Sequence, residues 1–134
     1  MGVYCGVIGT TDCKSIDELS HCYTQTVGHK TSVYAYGNGN IQGEKVAVCP
    51  GGGNAMFVIN EMMDNNIKTL ITGVTIINDH SRETHSFARE NKFNVLGGTH
   101  YSSEKFAPME ICKYFNNLGL PSEFIEDDPD LFDL

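Results

Sequence analysis

Basic residues are scarce in this sequence. Nine Lys and Arg stand against seventeen Asp and Glu, giving a formal net charge of −8. The bases are scattered singly, whereas a phosphate-binding groove needs them clustered, so no nucleic-acid partner is expected. No apolar run approaches the ~20 residues of a membrane-crossing helix, so no membrane role is expected. The short apolar stretch near the N-terminus lacks a basic flank, so no secretory leader is expected and the expected location is cytoplasmic. Paired cysteine motifs are missing too. Cys5, Cys13, Cys22, Cys49 and Cys112 are odd in number and contain no C-x-x-C spacing. This argues against a paired-cysteine zinc site and reads as reduced, mostly buried thiols.

What the chain does have is alternation. Its 134 residues suit one domain over residues 1–134, and 40% hydrophobic content supplies a core. "VYCGVIG" (Val3 to Gly9), "TSVYAYG", "KVAVC", "IKTLITG" and "FNVLGG" read as strands. Between them, Ser15 and Glu18 form a capping-box pair. They open a helix whose apolar stripe is Ile16, Leu19, Tyr23 and Val27, ended by Gly28. A second helix follows "PGGG", with Asn54 placed to cap it. A third starts near Asp79, and a fourth runs through "SSEKFAPMEICKYFNNLG" with Gly119 after its end. "SEFIE" predicts a last strand. The C-terminal acids of "EFIEDDPDLFDL" read as a solvated tail, with a partner-binding tail as the alternative. The predicted fold class is α/β, a mostly parallel or mixed sheet flanked by helices. In such sheets ligands gather where strand C-termini open into loops, which here are "CPGGGN", "ITGVTIINDH" and "GGTHYSSE".

Three stretches carry side chains suited to chemistry. His100 and Glu104 are spaced i, i+4, so a helix starting between them puts both on one face. An imidazole nitrogen and a carboxylate oxygen there can hold one divalent ion, although the same spacing also suits a strand-end His and a helix-start Glu favoured by the dipole. The glycines of "CPGGGN" can cradle an anion or simply make a tight strand-to-helix turn. His80 and His85 lie roughly 140° apart on a helix and cannot both aim at one ion. Either can serve as a ligand or base, or sit on a solvated face. His21 and His29 have no nearby partners in sequence and read as surface residues. No nucleophile–base constellation stands out.

The strings "KVAVCPGGGNAMFVINEMMDNNIKTLITG" and "ARENKFNVLGGTHYSSEKFAPMEICKYFNNLGLPSEFIEDDP" resemble the C-terminal half of the Nif-three-like family. These are dinuclear-metal-centre hexameric proteins, also labelled GTP cyclohydrolase I type 2 homologues. The "GGTHYSSE" segment is the most specific part, and "GVYCGVIG" fits more loosely. The resemblance implies two similar α/β lobes with two metal ions between them. It assigns His100 and Glu104 as metal ligands, to zinc, iron or manganese. It also implies a homo-oligomer, by family a hexamer, and metal-dependent hydrolysis of a nucleotide-like small molecule. The alternative is a non-catalytic scaffold or adaptor with structural metal, and a third reading is an anion sensor built on "CPGGGN".

Three departures accompany the likeness. The chain holds no His-His pair and no counterpart of the family's first-half Asp, so the N-terminal metal-ligand half is expected to be absent. Val74 stands after "TG", where many members carry an acid, and "TIINDHSRETH" is longer than usual.

Overall fold

The computed structural model describes residues 5–134. Its elements are β1 (Val7–Thr10), α1 (Ile16–Val27), β2 (Ser32–Ala35), β3 (Lys45–Cys49), α2 (Met56–Asp64), β4 (Thr69–Thr72), α3 (Arg82–Glu90), β5 (Asn94–Gly97), α4 (His100–Glu104) and α5 (Phe106–Asn117). A 3₁₀ turn follows at Leu131–Asp133. The first two residues of the predicted N-terminal strand, Val3 and Tyr4, lie outside the described residues.

The five strands form one mixed open sheet in the order β1-β3-β4-β5-β2. The central three are parallel, as the short apolar runs implied, and crossover helices α2 and α3 connect them. The edge strands β1 and β2 run antiparallel to their neighbours.

Side-chain alternation divides the core between the two faces. Ala47, Cys49, Leu70 and Val95 pack with Val58, Ile59 and Met62 of α2 and Ala88 of α3. Val46 and Leu96 point the other way, against Ile16 and Leu19 of α1 and Ile41. Helix α1 starts as its residues dictate. The Ser15 hydroxyl accepts from the Glu18 N–H at 3.2 Å, and the Glu18 carboxylate accepts from the Lys14 N–H at 2.7 Å. Gly28 ends the helix at φ 86°.

Four details differ from the sequence expectation. Asn54 does not cap α2, because its amide turns to His85 and leaves Ala55 at the cap position. Helix α3 begins at Arg82 rather than Asp79. The Asn78 side chain accepts from the N–H groups of His80 and Ser81, which holds a turn there. The long C-terminal helix is broken at Lys105 into α4 and α5. Finally, "SEFIE" forms no strand. This stretch lies along the helices instead. The Asn116 side chain clamps both backbone groups of Ser122, Lys105 pairs with Glu126, and the Asp127 N–H reaches the Tyr101 hydroxyl.

Helix α5 buries none of its residues. Ile111, Tyr114, Phe115 and Leu118 form an exposed stripe along it at helical spacing. No helix among the described residues is long and apolar enough to cross a membrane.

Phe93 is fully buried at the foot of β5, with the Phe87 ring at 6.4 Å and the Lys68 ammonium 4.2 Å from its centroid. Phe93→Ala is expected to destabilise the fold by about 3–5 kcal/mol, read as a lowered urea midpoint.

Candidate functional site

Because β3, β4 and β5 are parallel, their C-terminal loops emerge on one edge of the sheet. Residues 50–55, 73–80 and 98–104 meet there. The Val74 N–H donates to the Gly51 carbonyl at 2.8 Å, joining the first two loops. The Gly51 N–H donates to the Ser103 hydroxyl at 2.9 Å, joining the first and third. Ser103 in turn donates to the His100 carbonyl at 2.9 Å.

Thr99 delivers α4 into this junction. It is fully buried and holds φ 67°, ψ 153°, a region that a β-branched side chain rarely enters. Its hydroxyl accepts from the Ser102 N–H at 3.2 Å and caps the helix. The turn sends His100 and Glu104 out on one face, with His100 Nε2 3.2 Å from Glu104 Oε1. Both side chains are about half exposed, at 54% and 51%. Gly51, at φ 62°, lies directly beneath them. A Cβ there would collide with the Glu104 carboxylate and the His100 ring. The i, i+4 expectation therefore holds in geometry: one imidazole nitrogen and one carboxylate oxygen converge at an accessible point.

Asp133 also belongs to this edge, although the sequence reads it as part of an acidic tail. Its carboxylate accepts from the His100 N–H at 2.7 Å, and its carbonyl accepts from Thr75 and Ile76. Nothing local in sequence signals this contact, because its partners are more than thirty residues away. Among the described residues, no group of three or more His, Cys, Asp or Glu side chains is arranged to hold a metal ion.

The other histidines separate. His80 is exposed. His85 is buried behind the loops rather than on a solvated face, with 2% exposure. Its Nε2–H donates to the Thr75 carbonyl at 2.9 Å, and its Nδ1 accepts from the Tyr36 hydroxyl at 3.1 Å. The Asn54 amide also faces Nε2, at 3.0 Å. Since Nε2 already donates, the Asn54 oxygen is assigned to that side. His85 thus ties the first two loops to Tyr36, the residue after β2. Burial is the main cause that lowers its pKa, with Arg89 assisting and the Thr75 bond opposing.

His29, read as a surface residue, instead binds Ser102 Oγ through Nε2 at 2.6 Å and the Lys30 carbonyl through Nδ1 at 2.7 Å. It lines a 480 Å³ cleft with Lys105, Glu126, Asp127 and Asp128.

The model of the Duf34/NIF3 (NGG1p interacting factor 3) family matches residues 2–130. The chain belongs to the Duf34/NIF3 family. Several solved structures share its fold. Reduced HcgD from Methanocaldococcus jannaschii superposes with a TM-score of 0.68 at 19% identity, covering 84% of this chain and 42% of that one. Protein ybgI, of unknown function, gives 0.73 at 19% identity, covering 94% and 53%. The Bacillus cereus protein related to NIF3 gives 0.67 at 19% identity, covering 95% and 35%. The chain therefore spans from about a third to about half the length of these structures. No curated protein sequence matches it.

The buried His85 sets a pH dependence. Its folded pKa lies below the ordinary 6.5, so it adds no penalty well above that value. As pH falls through 6.5 the unfolded chain takes up a proton that the folded ring refuses, and stability declines toward the depressed folded pKa. The urea midpoint is expected to drop between about pH 7.5 and about pH 5.5. His85→Gln should lower the midpoint at the higher pH and shrink the pH-dependent drop.

Proposed function

We propose that this NIF3-family chain supplies His100 and Glu104 to a divalent metal centre, with zinc, iron or manganese as the ion. The observation that carries the reading is the strained Thr99 turn, which brings His100 Nε2 and Glu104 Oε1 to 3.2 Å on an accessible face above a side-chain-free Gly51. Backbone strain of this kind costs ~1–3 kcal/mol and concentrates where a side chain must be aimed. The donor set is one nitrogen and one oxygen, a chemistry that suits borderline and hard divalent ions. Two ligands leave the remaining positions to water or to groups of another lobe or copy.

A bound divalent ion would supply an activated water and a Lewis acid, which fits hydrolysis of a nucleotide-like small molecule. In that reaction His100 and Glu104 hold and orient. Ser103 and Asp133 fix the backbone that carries them. The loops around Gly51 and Val74 shape the floor.

A second reading is favoured by a different observation. Helix α5 exposes its whole apolar stripe, which suits an assembly of copies, by family likeness a hexamer, acting as a scaffold with structural metal.

Native mass spectrometry with elemental analysis, after loading with zinc, iron(II) or manganese(II) and desalting, tests the first reading. The wild type is expected to retain one of these ions, and His100→Ala and Glu104→Ala to retain at least about tenfold less. Equal metal content in all three proteins would remove the assignment. Chelator-sensitive hydrolysis of a nucleotide by the loaded protein separates an enzyme from a scaffold.

A further inference from the structure

Four of the five cysteines approach one another in two pairs that no sequence spacing announced. Cys13 Sγ lies 4.0 Å from Cys22 Sγ, and Cys49 Sγ lies 3.8 Å from Cys5 Sγ. The pairs differ in access. Cys22 is exposed on the outer face of α1, and Cys13 is partly buried in the turn before it. Cys49 is buried at the end of β3, and burial, with the Cys5 thiol adding to it, pushes its pKa up to about 11. Cys112 makes no thiol contact among the described residues.

We propose that Cys13 and Cys22 are a modification site, a dithiol that closes to a disulfide by exchange with small-molecule disulfides such as oxidised glutathione. The geometry needs little change. The sulfurs must approach by about 2 Å to reach a bond of ~2.05 Å, and the exposed Cys22 side chain is free to rotate. The Cys22 thiolate attacks one sulfur of the small disulfide. That forms a mixed disulfide and expels one thiolate, which takes up a proton. The Cys13 thiolate then attacks Cys22 Sγ, forming the protein S–S bond and expelling the second small thiol. Two protein thiols are oxidised, and one disulfide is reduced to two thiols.

Closure has a structural effect. Cys13 sits in a turn already fastened by Thr11 to residues 43 and 44 and by Lys14 to Ile41. Cys22 precedes Tyr23, whose hydroxyl donates to the Thr72 carbonyl at the end of β4 at 2.9 Å. The bond would therefore pin the first two turns of α1 to a loop held by the segment just before β3, and remove freedom mainly from the unfolded chain.

The test treats the purified chain with oxidised glutathione, then maps disulfides by peptide mass spectrometry and counts free thiols. The expected product carries one Cys13–Cys22 link, with free thiols falling from five to three. Its thermal midpoint should rise and return to the starting value with dithiothreitol. Cys13→Ser is expected to stop at a stable glutathione adduct on Cys22, without the rise. Cys22→Ser, a change at an exposed position, should keep the fold and form no link. A persistent glutathione adduct on wild-type Cys22, or closure of Cys5–Cys49 ahead of Cys13–Cys22, would overturn the proposal.

Discussion

The open edge of the sheet depends on one backbone conformation. Thr99 has glycine-like torsions with a β-branched side chain, fully buried, between the end of β5 and the first residue of α4. Such a conformation persists only where the surroundings over-determine it. Here they do so from three sides. The Thr99 hydroxyl is engaged by Ser102, its carbonyl accepts from Ser103, and the next N–H is held by Asp133. The reward is direction. A relaxed Thr99 would turn α4 away from the β3 loop, and His100 and Glu104 would no longer share the space above Gly51.

The neighbouring loops are shaped to the same end. Gly51 and Gly73 are places where backbone must pass close to α4. At Gly73 a Cβ would strike the Ser103 hydroxyl and the Gly51 carbonyl. Behind them, His85 makes a buried polar link among three segments that no apolar residue could replace without orphaning Tyr36 and the Thr75 carbonyl. The site is therefore a thin exposed layer of two side chains resting on a heavily determined backbone.

Local chemistry made much of this legible. The capping pair Ser15–Glu18, the apolar runs of β3, β4 and β5, and the i, i+4 spacing of His100 and Glu104 all act over a few residues, and each is realised. What was hidden rests on distant partners. His85 sits in a stretch that looks polar all round, because its burial is stabilised by Asn54 and Tyr36, some thirty and fifty residues away. Asp133 looks like one more tail acid until the loop it fastens is in place. "SEFIE" is drawn along the helices by Lys105 and Tyr101, which hold Glu126 and Asp127 from more than twenty residues away and are invisible to local pattern. The Cys5–Cys49 pair escaped for the same reason, since the two are brought together only by the pairing of β1 with β3.

The exposed apolar stripe of α5 has a thermodynamic consequence of its own. The chain exposes 8326 Å², against roughly 7,000 Å² expected for a folded monomer of this mass. Surface already wet in the folded state is not newly wetted on unfolding. The heat-capacity increment of unfolding and the denaturant m-value should both fall short of what 134 residues normally give. The stability curve is then flatter than size alone implies.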